Sequence, residues 1–145
     1  MYEVPYWIAG LTVPDIASYL KERGLSCEGP VPRGETMSSW ECRASSGAEG
    51  VEREVSIVGQ GPERVRSVTA TVYGDGRRPP EEAVADFLGF VAALPYEGAE
   101  PAQAKQWVKE NVASGGKLAI GSANFELYGE EQARVLRIVA VGEPA

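Results

Sequence analysis

The sequence predicts a single α+β domain in which a mostly antiparallel sheet of about five strands carries three helices on one face. Two observations lead to this fold class. Segments with strand character follow one another in the order α-βββ-α-α-ββ instead of alternating with helices, which is typical of antiparallel sheets. The segment between Pro79 and Pro95 carries a wide apolar stripe at helical spacing, and that stripe needs a sheet to cover it.

The first helix is predicted from its end signals. Residues 1–11 contain aromatic residues and a proline and are expected to form an extended N-terminal arm, with residues 12–145 forming the domain. Thr12-Val13-Pro14-Asp15 has the pattern of a helix start, and Gly24 is the expected end after about three turns. Residues 25–35 are rich in glycine and proline, so the sequence predicts an irregular connection there.

The strands are predicted from alternating apolar and polar residues joined by glycine-rich turns. The central helix covers residues 80–94 and begins with Pro80 and two carboxylates, which favour a helix start. A third helix begins at Pro101 and ends at Gly115-Gly116. The strands are expected at residues 39–44, 51–58, 64–73, 118–128 and 133–141.

The charge balance and the lack of histidine exclude several function classes. With 14 basic and 21 acidic residues the chain has a formal net charge of −7, so it lacks the positive surface that nucleic acids or anionic membranes require. The absence of histidine excludes Ser-His catalysis and histidine-ligated metals. No segment approaches the length of a membrane-spanning helix.

Three short patterns resemble catalytic or phosphate-binding motifs, but each is better explained structurally. Glu81-Glu82 and Glu130-Glu131 are adjacent carboxylates that diverge instead of facing each other, so neither suits acid–base catalysis. Gly59-Gln60-Gly61-Pro62 lacks the lysine and hydroxyl pair of a phosphate loop and is predicted to be a hairpin turn. No catalytic, metal-binding or cofactor-binding residue is therefore predicted, and no cofactor is expected.

The two cysteines leave three interpretations open. Cys27 and Cys42 are interpreted either as two buried thiols, as a structural disulfide or as a redox-active pair. A disulfide closing a loop of about 15 residues would contribute roughly 3 kcal/mol, and Trp40 would lie on the same strand face as Cys42. No fixed cation near either cysteine in the sequence predicts a low thiol pKa, which disfavours redox chemistry.

The sheet face that points away from the helices is the candidate binding surface. By alternation it carries residues of the third and the last two predicted strands, namely Val65, Thr69, Thr71, Tyr73, Glu126, Tyr128, Val135, Arg137 and Val139. Of these, Thr71, Tyr73, Tyr128, Arg137 and Val139 are the residues predicted to contact a partner. One alternative is a plain solvated face, because threonine and tyrosine are good strand formers on any exposed sheet surface. The other is that the N-terminal arm covers this face.

Three segments of the chain resemble small uncharacterised bacterial extracytoplasmic domains, which are often tethered as lipoproteins. The segments are Gly24-Leu25-Ser26-Cys27-Glu28-Gly29-Pro30, Trp40-Glu41-Cys42 and Phe87-Leu88-Gly89-Phe90-Val91-Ala92-Ala93-Leu94-Pro95-Tyr96. The resemblance implies export and a Cys27–Cys42 bridge, and it implies no catalysis. The first seven residues do not read as a signal peptide, so a signal or lipid tether is expected to lie outside this chain.

These observations favour a non-enzymatic extracytoplasmic module that binds a protein or a small ligand. A first alternative is an inhibitor-like domain that binds a partner enzyme. A second is a histidine-free enzyme that uses carboxylate, tyrosine or arginine chemistry.

Overall fold

The computed structural model describes residues 7–44, 51–74, 78–130 and 132–141. Within them lie three helices, α1 (Val13–Lys21), α2 (Glu81–Ala92) and α3 (Pro101–Asn111). The seven strands are β1 (Leu25–Arg33), β2 (Met37–Ala44), β3 (Val51–Gly59), β4 (Val65–Gly74), β5 (Gly116–Ile120), β6 (Ala123–Glu130) and β7 (Ala133–Ala140).

All seven strands form a single sheet in the order β1-β2-β3-β4-β7-β6-β5. Every neighbouring pair is antiparallel, which confirms the predicted antiparallel sheet. The first four strands form a meander. The chain then passes through α2 and α3 to the far edge and returns, so that β7 pairs with β4 at the centre of the sheet.

The prediction of about five strands is wrong, and the first reason is β1. The segment predicted to be an irregular connection is an edge strand that contains Pro30 and Pro32. A proline has no N–H to donate, but an edge strand has only one neighbour and tolerates it. A register shift between Glu28 and Val31 accommodates the proline-containing part.

The second reason is a break in the strand predicted over residues 118–128. The chain turns at Gly121, whose φ is +58°, and divides this segment into β5 and β6. The backbone of Gly98 lies against this turn, since a Cβ atom at Gly121 would be 2.6 Å from the Gly98 carbonyl oxygen. The apolar alternation changes phase at this turn, from Leu118 and Ile120 to Ala123, Phe125 and Leu127, and the prediction of one continuous strand overlooked this change.

The core lies between the helices and one side of the sheet. Phe87, Leu88 and Val91 of α2 are fully buried, as the spacing of the apolar stripe predicts. The strands contribute alternating buried residues such as Val55 and Ile138 to the same cluster. Residues 1–6 of the predicted arm lie outside the described residues, whereas Ile8 is buried and its N–H donates to the Val65 carbonyl at 2.7 Å.

Candidate functional site: the open face of the sheet

Strand register brings part of the predicted binding face together at the centre of the sheet. Val135 of β7 lies directly opposite Thr71 of β4 on one side and Tyr128 of β6 on the other. In the next row, Arg137 lies between Thr69 and Glu126. Thr71, Tyr128 and Arg137 therefore share one patch of surface.

The two remaining predicted residues lie at opposite ends of this patch. Tyr73 is one row beyond Thr71, and Val139 is one row beyond Arg137, opposite Ser67 and Asn124. Because strands rise about 3.3 Å per residue, Tyr73 and Val139 are about 20 Å apart along the sheet. They cannot contact the same small group, so the face suits an extended partner better than a compact ligand.

Exposure differs along the face. The prediction that Val65 lies on it is wrong, because a register shift at the start of β4 breaks the alternation and Val65 is fully buried in the core. Tyr128 is 44 % exposed, whereas Thr71, Arg137 and Val139 are each partly buried between their neighbours. A large aromatic side chain that stands this far out of a strand is the kind of residue that dominates interface energies.

A hydrogen-bonded group on β2, β3 and β4 extends the candidate site. The Tyr73 hydroxyl donates to Oε1 of Glu54 at 2.9 Å, and Nε of Arg43 lies 3.6 Å from the same oxygen. On the neighbouring row the Ser56 hydroxyl donates to Oε1 of Glu41 at 3.1 Å. The hydrogen bond to Glu54 raises the pKa of Tyr73, with partial burial as the second cause.

These β2 and β3 residues were missed by the sequence-based assignment of the face. Alternation alone places Glu41, Arg43, Glu54 and Ser56 on the polar side of their strands. It does not reveal that this side continues the surface that carries Tyr73 and Tyr128, because that depends on how the strands are paired. The pairing of Glu54 with Thr71 supplies this information.

The β1–β3 part of the open face is predominantly acidic. Glu28 of β1 lies directly opposite Glu41 of β2, a like-charge pair that costs some stability. The glutamates of this part are Glu28, Glu41, Glu52 and Glu54, and the arginines are Arg33 and Arg43.

Cys27 and Cys42 form a disulfide. They face each other in the register of β1 and β2, and Cys42 is fully buried beside Trp40, which is 7 % exposed. The bridge ties the edge strand β1 to β2. Of the three interpretations of the cysteine pair, the structure contains the disulfide. A buried disulfide is compatible with an extracytoplasmic location.

Metal-binding clusters and membrane-spanning helices are absent from the described ranges. No group of three or more histidine, cysteine, aspartate or glutamate side chains there is arranged to hold a metal ion. None of the helices in the same ranges has the length and apolar character needed to cross a bilayer.

Comparisons of the chain with protein-family models, curated proteins and solved structures found no match.

Proposed function

We propose that this chain is a non-enzymatic binding module of an extracytoplasmic protein, and that the open face of its sheet binds a protein partner. One observation carries the proposal. Among the described residues the helices cover one side of the sheet, and the other side presents Thr71, Val135 and Tyr128 in register across neighbouring strands. An antiparallel sheet covered on one side is stable with its second side accessible, so this surface is available for binding.

The dimensions of the face favour a protein over a small molecule. Seven strands about 4.8 Å apart span about 29 Å, and strands of about eight residues extend about 26 Å. The resulting area of about 750 Å² is close to the roughly 800 Å² that each partner contributes to a standard protein interface.

The charge distribution specifies the partner further. Glu28, Glu41 and Glu52 lie on the β1–β3 part of the face, and the aromatic contact surface lies around Tyr128. We therefore expect a partner with a basic patch opposite β1–β3 and an apolar recess for Tyr128. Electrostatic complementarity of this kind accelerates association and makes it sensitive to salt.

The disulfide supports the extracytoplasmic part of the proposal, because disulfides persist mainly in oxidising compartments. Protein isolated from its native cells, alkylated before any reduction and analysed by mass spectrometry, should carry no alkyl group on Cys27 or Cys42. Alkylation of both cysteines would contradict this location.

The binding surface is tested by affinity capture from the extracytoplasmic fraction, followed by titration of the purified partner. Tyr128→Ala should weaken binding about ten-fold or more, which corresponds to about 1.4 kcal/mol, because tyrosine is enriched among the few residues that carry most of the binding energy of an interface. Glu28→Gln/Glu52→Gln should weaken binding and reduce its dependence on salt.

The matched control removes two charges from the opposite side of the molecule. Glu81→Gln/Glu82→Gln at the start of α2 changes the net charge equally and should leave the affinity unchanged. The proposed surface would be contradicted if this control weakened binding as much as Glu28→Gln/Glu52→Gln does, or if Tyr128→Ala bound the partner with unchanged affinity. A homodimer that dissociates in Tyr128→Ala would instead assign the face to a second copy of the chain.

A further inference from the structure

A small pocket at one end of the sheet shares none of the residues assigned above to the open face. It has a volume of about 230 Å³ and lies where β2 begins, β3 ends and β4 begins, next to the N-terminal segment. Its lining consists of Trp7, Thr36, Met37, Gln60, Arg64 and Arg66.

The pocket combines two guanidinium groups with an aromatic wall. Arg64 directly precedes β4 and Arg66 is its second residue, at the register shift opposite Gly59, and both side chains line the pocket. The Arg64 guanidinium carbon lies 4.9 Å from the centre of the Trp7 ring, so the indole and the guanidinium already form a cation–π pair. Met37 adds an apolar contact surface and Gln60 an amide.

The charge of the pocket is opposite to that of the whole chain. The chain has a net charge of −7, yet the described residues that line the pocket include two arginines and no aspartate or glutamate. Paired guanidinium groups match the planar oxygens of carboxylates and the oxygens of phosphates. A lining of this composition suits an anionic ligand.

The walls of the pocket are held in place by main-chain hydrogen bonds. The Gln60 N–H donates to the Arg64 carbonyl at 3.0 Å and closes the turn between β3 and β4. The Ile8 N–H donates to the Val65 carbonyl at 2.7 Å and holds the chain next to Trp7 against β4. Sites built in advance lose less conformational entropy on binding.

We propose that this pocket binds a small organic anion, a carboxylate or phosphate attached to a single aromatic ring. The anion would contact Arg64 and Arg66, and the ring would pack on Trp7 and Met37. The size agrees with this class, since a cavity of about 150 Å³ holds benzene and the additional volume accommodates the charged group. Carboxylates and phosphates share this chemistry, and the test distinguishes them.

The first test uses the unmodified chain and nitrogen-15 NMR. The chain has three tryptophans, Trp7, Trp40 and Trp107, and each contributes one indole N–H signal. Titration with phenylacetate should shift the Trp7 signal saturably and leave that of buried Trp40 unchanged. Phenylacetamide, which has a similar shape but no charge, should bind about ten-fold more weakly or worse, and equal binding would overturn the proposal. Phenyl phosphate shows in parallel which anion the pocket prefers.

The second test assigns binding to the arginines. Arg64→Gln/Arg66→Gln should abolish saturable binding of phenylacetate, whereas Lys105→Gln/Lys109→Gln removes the same charge from exposed positions of α3 and should bind normally. Unchanged binding by the arginine variant, or equal loss in the lysine variant, would overturn the assignment. None of these substitutions changes a residue of the open face, so this test and that of the partner surface fail independently.

Discussion

At the residue scale, Tyr96 shows how one buried hydroxyl links the helical layer to the sheet. Its side chain is 8 % exposed, its hydroxyl donates to the Ile120 carbonyl at 2.7 Å, and its ring packs near Phe125. Burial disfavours the charged phenolate and raises the pKa of Tyr96 from 10.0 to about 12. The native state therefore keeps this tyrosine protonated at a pH where the unfolded chain ionises it.

This shift predicts a specific pH dependence. Below pH 10 the full contribution of Tyr96 to stability is present, and it is lost as the pH rises through about 12, because the unfolded state releases the proton first. Tyr96→Phe should lower the free energy of unfolding by about 1 kcal/mol at neutral pH through the lost hydrogen bond. Urea unfolding of both proteins should show this difference narrowing above pH 10, and a difference independent of pH would contradict the shifted pKa.

At the scale of elements, the turn between β5 and β6 depends on a close approach of two glycines. Gly121 has φ +58° and Gly98 has φ +83°, and both conformations disfavour other residues. The two backbones meet so closely that a side chain at either position would contact the other. This contact fixes where the long apolar segment folds back on itself.

Two alanine substitutions separate conformational strain from steric contact. Gly24→Ala has the same kind of backbone strain, with φ +79°, but no atom lies within 4 Å of the added Cβ. It should cost about 1–2 kcal/mol. Gly121→Ala should cost roughly 1–3 kcal/mol more, since its Cβ would overlap the Gly98 carbonyl. Urea unfolding measures the loss in free energy of unfolding for each variant. Equal losses for Gly24→Ala and Gly121→Ala would show that the contact between Gly121 and Gly98 is unimportant.

At the scale of the whole molecule, the two edges of the sheet are held differently. The β5 edge continues from α3 through a short turn and pairs without interruption with β6. The β1 edge contains two prolines and a register shift, so its main-chain pairing is incomplete, and the disulfide between Cys27 and Cys42 reinforces it. The covalent bond supplies cohesion where the hydrogen-bond ladder is weakest.

Loss of the disulfide should therefore lower the stability of the whole domain. Cys27→Ala/Cys42→Ala should reduce the free energy of unfolding by about 3 kcal/mol, the contribution calculated for a closed loop of about 15 residues. Chemical unfolding with and without dithiothreitol measures it. Dithiothreitol should lower the free energy of unfolding of the native chain to about the value of the variant, and it should leave the value of the variant unchanged. If dithiothreitol did not change the stability of the native chain, the role assigned to the bridge would be contradicted.

Local features were predictable where the signal is contained in a few neighbouring residues. The capping pattern placed the start of α1, where the Asp15 N–H donates to the Thr12 hydroxyl at 3.2 Å. Pro101 marked the start of α3, and the apolar stripe marked the buried side of α2. The edge strand β1 was missed because prolines in a sequence normally indicate a loop. Prolines are tolerated in a strand that has only one neighbour, and only the order of strands in the sheet shows that β1 is such a strand.

The candidate sites required information that no single segment contains. The sequence by itself determined the helices, the polar and apolar sides of most strands, and the side of the sheet on which Tyr128 and Arg137 lie, since these follow from backbone periodicity. Only the tertiary structure decided that Glu54 hydrogen-bonds to Tyr73 and that Trp7 lies beside Arg64. The physical reason is that strand register and loop packing are set by contacts between residues far apart in the chain.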